Sequence, residues 1–225
     1  MKVSVIIPAY NEEKNIVPMC MKITAAMRGL DYEIIAVDDG SSDRTYAELG
    51  GIRDRRLKVI KLPSHRGKEF ALYKGFKEAS GEIIATIDAD QQDDPRDIPL
   101  MVKQLGSDCD CVCGWRRERK DGFVKRVSSR MANFANNLFF GGSLHDNNCP
   151  VKVFRKRCVS RIKYFSGFHR FISAMVRLQG FKIKECEVRH YPRVHGVSKY
   201  GIRNRLFCTL KTFFLVRFNY KRLLE

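Results

Sequence analysis

Gly81 to Pro95 reads GEIIATIDADQQDDP, and the fold follows from it. Ile83, Ile84, Ala85, Thr86 and Ile87 form a short, uncharged run rich in β-branched residues, the pattern of a strand buried in a parallel sheet. It ends in Asp88-Ala89-Asp90, then Gln91, Gln92, Asp93, Asp94 and Pro95. Open α/β sheets bind ligands beyond the carboxyl ends of their strands, so these oxygens stand where a ligand is expected. Crowded carboxylates repel one another unless a cation lies between them, and hard divalent ions prefer oxygen. Asp88, Asp90 and Gln92 are therefore candidate ligands for Mg²⁺ or Mn²⁺, with water and substrate phosphate completing the shell. A bare D-x-D is short and common, and the alternative is an acidic loop capping the next helix. Its position after a buried strand favours the metal.

Toward the amino terminus the same grammar repeats. Lys2 to Pro8 is an apolar strand, with Pro8 expected to stop the ladder and Ala9-Tyr10-Asn11-Glu12-Glu13 standing at the edge. Asn15 is placed to cap a helix that tolerates Pro18 in its first turn and whose core stripe is Ile16, Cys20, Ile23 and Met27. Glu33 to Val37 is a second strand, and Asp38-Asp39-Gly40-Ser41-Ser42-Asp43 is a turn that also caps the helix after it. The carboxylates of Asp38 and Asp39 could accept hydrogen bonds from a nucleobase or ribose; plain turn chemistry is the other option. Leu57 to Leu62 is a third strand. It leads into Pro63-Ser64-His65-Arg66-Gly67-Lys68 and a helix with Phe70, Tyr73 and Phe76 along one side. Arg66 and Lys68 either meet phosphate or belong to a solvated basic loop. Three β-α units followed by a strand that ends in acids imply an α/β fold, a mostly parallel sheet with helices on both faces. Neither phosphate-binding glycine fingerprint is present, so phosphate must be held by metal and basic side chains.

A chain of 225 residues with 44% hydrophobic content suits one domain, or one domain with an appendage. The formal net charge of +17, most of it after Cys113, calls for nucleic acid, anionic lipid or phosphorylated substrates. Acids at three strand ends would repel a nucleic-acid backbone, which sets no nucleic acid as the expectation and leaves a basic nucleic-acid-binding module as an alternative of another class. No apolar run reaches the length of a membrane span and the amino terminus lacks a signal-peptide layout, so a cytosolic location is expected. The eight cysteines then read as reduced structural thiols, with Cys109, Cys111 and Cys113 on one face of a strand.

Pro8-Ala9-Tyr10-Asn11-Glu12, Val37-Asp38-Asp39-Gly40-Ser41-Ser42-Asp43 and Asp88-Ala89-Asp90-x-Gln92 together resemble the family 2 glycosyltransferases over about residues 1 to 115. That resemblance implies the nucleotide-diphospho-sugar transferase (GT-A type) fold. It also implies a nucleotide pocket lined by Pro8, Tyr10, Glu12 and Asp39, with Asp38, Lys68, Asp88 and Ala89 nearby, and a divalent ion on the donor diphosphate. Further on, Cys113-Gly114-Trp115-Arg116, the Lys125 to Arg130 segment, Asn147 to Arg155, His169-Arg170-Phe171 and Gly196 to Gly201 resemble the dolichyl-phosphate mannose synthase branch. The implied activity is inverting transfer of a sugar from a GDP- or UDP-sugar to a polyprenyl monophosphate. By the same resemblance Arg116, Arg126 and Ser129 bind the acceptor phosphate, with Lys125 as the competing register. Lys199 contacts the donor diphosphate, and Asp90, Arg116 and Lys199 form the catalytic set. Two departures bear on donor choice: Ser64-His65-Arg66-Gly67 stands where Asn-x-Gly is usual, and Trp115 replaces a small residue.

The chemistry agrees with such an acceptor. A hydroxyl acceptor must lose a proton as it attacks, whereas a phosphate monoester is already anionic and needs only positioning and charge shielding. A soluble family member acting on a saccharide or lipid hydroxyl is the nearest rival, and a silent membrane scaffold a third. Val127, Met131, Phe134 and Leu138 after Val124, and Leu206 to Phe218, are amphipathic and flanked by cations. Both suit helices lying on an anionic membrane surface or against a membrane-embedded partner protein, or else packing on the domain. The expected organisation is a transferase domain over residues 1–205, split into a nucleotide half (1–115) and an acceptor half (116–205). A basic segment covers 206–225.

Overall fold

The computed structural model describes residues 1–117, 133–134, 136–195 and 212–224. Its strands are β1 (Val3–Ala9), β2 (Tyr32–Asp38), β3 (Leu57–Lys61), β4 (Ile83–Thr86), β5 (Cys111–Trp115), β6 (Lys152–Arg155) and β7 (Ile183–Glu187). They form one sheet in the order β3-β2-β1-β4-β6-β5-β7. The first four are mutually parallel, β6 runs against both β4 and β5, and β7 returns parallel to β5.

Strands β1, β2 and β4 carry continuous apolar runs because both of their faces are covered. One face holds Val3, Val5 and Ile7 under α1 (Ile16–Ala26), α2 (Thr45–Gly50) and α4 (Asp97–Lys103). The other holds Ile6, Ile35 and Ile84 under α3 (Lys68–Glu78) and α5 (Ile172–Leu178). Gly75 brings α3 close: a Cβ there would stand 2.4 Å from Ile6 Cγ2.

Three local expectations are corrected. Pro8 does not stop the ladder, which continues through Ala9 opposite Asp38. Pairing of β1 with β4 has already ended at Ile6 opposite Thr86, so the missing N–H at Pro8 costs no bond on that side. Asn15 precedes α1 but its side chain makes no capping bond. Cys109 lies before β5 begins and packs on the α1 face, opposite Cys111 and Cys113. Seven cysteines among the described residues are free thiols.

Glu33 pins the lower edge of the sheet. Its carboxylate accepts Ser4 Oγ at 2.6 Å and Ser80 N at 2.8 Å, with Lys2 Nζ at 3.4 Å. Burial pushes this acid up, but those bonds outweigh it and leave it at about 2. A carboxyl depressed on folding adds stability above its unfolded pKa of about 4.3 and loses it as pH falls toward 2. Glu33→Gln is therefore expected to flatten acid-side stability across that window. Urea melts at pH 6, 4 and 2.5 check this; an unchanged pH dependence would show that Glu33 does not carry the linkage.

Candidate active site at the carboxyl edge of the sheet

Strands β1, β2 and β4 end at one edge, and β6, being antiparallel, enters the sheet from that same edge. The segment leading into β6 and the one leaving β7 therefore meet the acids of the first half. Glu12, Asp39, Asp88 and Asp90 are brought to one rim, and cations from distant segments close over them.

At one end of the rim the Tyr10 ring stacks on His65, centroids 3.8 Å apart at 24°. His65 Nδ1 lies 2.8 Å from Asp39 Oδ2. Asp39 also accepts the backbone N–H groups of Arg66 at 2.9 Å and Gly67 at 2.8 Å. The close approach depends on Gly40, in the left-handed region at φ 65°. A Cβ there would meet the Ser64 carbonyl carbon at 2.5 Å. Asp38 is buried, accepts Ser41 N at 3.3 Å through Oδ1 and leaves Oδ2 without a partner. Arg66 lies over the Phe70 ring at 3.8 Å. Asp43 accepts Thr45 N at 2.9 Å in the turn before α2, but the residue at the cap position is Arg44, whose side chain makes no capping bond.

At the centre each D-x-D carboxylate already faces a cation. Lys68 Nζ stands 2.5 Å from Asp88 Oδ1. Arg193 donates to Asp90 Oδ2 and lies 3.4 Å from Gln92 Oε1 and 3.7 Å from Glu12 Oε1. Burial, then the charge of Asp88, raises Asp90 above the ordinary carboxylate range, against the pull of Arg193 and Lys68. Asp93 is buried and pushed up to about 8, chiefly by burial and further by Asp88 and Asp90, with Arg116 opposing. Ala89 packs in the core beneath. The loop is held by Gln91, in the left-handed region at φ 62°. Its amide donates to Asn15 Oδ1 at 3.0 Å and accepts Lys22 Nζ at 2.7 Å, and Asn15 in turn donates to Glu12 Oε2 at 2.7 Å. Asn15 thus trades its capping role for a bridge between two strand ends.

No cluster of three or more His, Cys, Asp or Glu positioned to hold a metal ion occurs among the described residues. The donor set of Asp88, Asp90 and the Gln92 amide nonetheless fits a hard divalent ion. Its oxygens are the right chemistry, and the Asp88 charge adds to burial in raising Asp90, a repulsion that a cation would relieve. Magnesium-type sites commonly take only one or two carboxylates.

At the far end Arg116, mostly withdrawn from solvent, meets the buried Asp146 in a two-point pair, Nε to Oδ2 at 2.7 Å and Nη2 to Oδ1 at 3.1 Å. Trp115 stacks on His145, centroids 4.3 Å apart. Lys152, buried at the start of β6, donates to the Cys149 carbonyl. Lys68, Thr86, Asp88, Lys152 and His169 help line a cavity of about 30 Å³, room for one water. His169 is itself 3.3 Å from Glu69. Lys125, Arg126, Ser129 and Lys199 lie outside the described residues.

Beyond this end, Phe139 and Phe140, directly after the first amphipathic segment, pack on Phe213 of the second, with centroids 4.7 Å and 4.9 Å apart. Val216 and Phe140 are buried, while Phe134, Leu138, Phe139, Phe214 and Phe218 are exposed. Leu223 O accepts Lys163 N at 2.9 Å, so the last described segment docks on the domain. No helix among the described residues is long and apolar enough to cross a membrane.

With this geometry in hand, comparison with known proteins is decisive for the family. The model of glycosyl transferase family 2 matches residues 4–163. The chain belongs to that family. One relative of this family 2 member is a dodecaprenyl-phosphate galacturonate synthase from Rhizobium johnstonii, 37% identical over 90% of this chain and 62% of the relative. Another is an undecaprenyl-phosphate 4-deoxy-4-formamido-L-arabinose transferase from Pseudomonas paraeruginosa, 34% identical over 88% of this chain and 60% of that protein. The chain thus spans about three fifths of the length of these curated relatives. Among solved structures, glucosyl-3-phosphoglycerate synthase from Mycobacterium tuberculosis, in complex with Mn²⁺ and uridine-diphosphate-glucose, superposes with a TM-score of 0.72. It is 21% identical, covering 96% of this chain and 78% of that one, and the likeness establishes the nucleotide-sugar transferase fold of the family 2 member.

Sequence reasoning missed Arg193, Asp146 and the Gln91 bridge. Arg193 stands shortly before the Gly196 to Gly201 run, a local hint; Asp146 and Gln91 carried no signal short of the tertiary contacts.

Proposed function

We propose that residues 1–205 form an inverting glycosyltransferase domain that moves a sugar from a GDP- or UDP-sugar onto a polyprenyl monophosphate at a membrane surface. The observation that carries this is the pair of relatives named for polyprenyl-phosphate products, each matched over about nine tenths of this chain. Tyr10 and Asp39 would receive the base, stacking on the ring and accepting an N–H. Asp88 and Asp90, with Gln92, would hold Mg²⁺ or Mn²⁺, which when bound neutralises charge on the departing diphosphate. Lys68 and Arg193 then turn from the carboxylates to the phosphates; Lys199 would join them.

Arg116, positioned by Asp146, and the Lys125, Arg126 and Ser129 segment would hold the acceptor phosphate. No general base is required of the protein. That agrees with a rim whose Asp39, Asp88 and Asp90 carboxylates are each engaged by N–H donors or cations. The exposed Phe134, Leu138, Phe139, Phe214 and Phe218 would lie against lipid, beside the basic flanks that attract anionic headgroups.

The test is a donor screen with Mn²⁺ or Mg²⁺, a short polyprenyl phosphate and a panel of UDP- and GDP-sugars, read by mass spectrometry of the lipid phase. A metal-dependent gain of one hexose, aminosugar or uronic acid unit is expected. Release of nucleoside diphosphate without a lipid product would overturn the acceptor and favour a hydroxyl compound or water.

A further inference from the structure

We infer that His65 is a built-in stand-in for the donor's nucleobase, filling the base position until a nucleotide displaces it. The inference rests on Tyr10 and Asp39 forming the base pocket. A bound base needs an aromatic face and an acceptor for a ring N–H. His65 uses both at once. Its ring lies on Tyr10 at 3.8 Å, too close for a base between them, since a sandwich needs about twice a stacking distance. Its Nδ1 lies 2.8 Å from Asp39 Oδ2.

The remaining bonds to Asp39 come from backbone N–H groups of Arg66 and Gly67, which belong to the loop and stay when the side chain turns away. Exchange is therefore one for one: a stacked ring for a stacked ring, and an N–H for an N–H. The loop itself is fixed by its backbone approach to Gly40, so a χ rotation of one half-exposed side chain suffices. A competent pocket populated only when His65 is out lowers apparent donor affinity by that fraction. His65 thereby sets how strongly any base must stack and donate to be accepted, a threshold that applies to every donor alike.

Calorimetric titration of UDP and GDP with Mn²⁺ present tests this. His65→Ala is expected to bind UDP or GDP about three- to tenfold more tightly than the wild type, as removal of such a competing state allows. Tyr10→Ala is expected to bind several-fold more weakly. In the wild type, the His65 Hε1 resonance, shielded by the Tyr10 ring, should move downfield as UDP is added. Unchanged or weaker binding by His65→Ala, with Tyr10→Ala still weakened, overturns the role of His65 and leaves the pocket standing. A stationary His65 resonance during saturable UDP binding does the same. Equal binding by all three proteins overturns the base pocket as well.

Discussion

Asp90→Ala is expected to lower sugar transfer by on the order of a hundredfold or more while the domain stays folded. A metal bound to the leaving diphosphate supplies several kcal/mol of charge stabilisation, and each 1.4 kcal/mol is tenfold in rate. Folding should survive because the native environment works against this carboxylate: burial and Asp88 both raise its pKa. Arg193, released from Asp90, remains near Glu12 and Gln92 and is partly exposed. Turnover against Mn²⁺ concentration, with thermal melts of both proteins, checks the outcome. Normal turnover with unchanged Mn²⁺ dependence would remove Asp90 from the metal site.

Asp146→Ala is expected to cost about 3–5 kcal/mol of folding stability, the usual consequence of stripping one partner from a buried ion pair. Both side chains are withdrawn from solvent, 10% exposed for Arg116 and 2% for Asp146. The guanidinium would lose both of its carboxylate bonds and keep its charge. Replacing both residues by apolar ones of similar volume should recover much of that stability, because the pair's desolvation is removed along with its attraction. The double variant should still fail to transfer sugar if Arg116 holds the acceptor. Urea denaturation separates the cases; a loss below about 1 kcal/mol for Asp146→Ala would mean that Arg116 is rehydrated or re-paired.

Much of the rim was legible beforehand for a simple reason. Strands buried on both faces must be continuous apolar runs, and their ends must be polar, so Val3–Ala9, Tyr32–Asp38 and Ile83–Thr86 announce themselves together with the acids that follow. The helix stripe Ile16, Cys20, Ile23 and Met27 was equally plain, all four side chains being buried. The errors at Pro8 and Asn15 came from reading a residue's local habit without knowing its neighbours. Pro8 sits where one flank of β1 is already unpaired, and Asn15 finds Glu12 and Gln91 instead of its own helix.

The sequence by itself therefore determined the α/β class, the parallel first half and the acidic rim, since each depends on residues adjacent in the chain. Only the tertiary structure decided which charges meet. Lys68 reaches Asp88 across 20 residues, Arg116 reaches Asp146 across 30, and Arg193 reaches Asp90 across 103. The last two follow from β6 entering between β4 and β5 and from the segment after β7 reaching back to bridge Asp93 through His190. Strand order is set by burial summed over the whole core, and no local pattern encodes it.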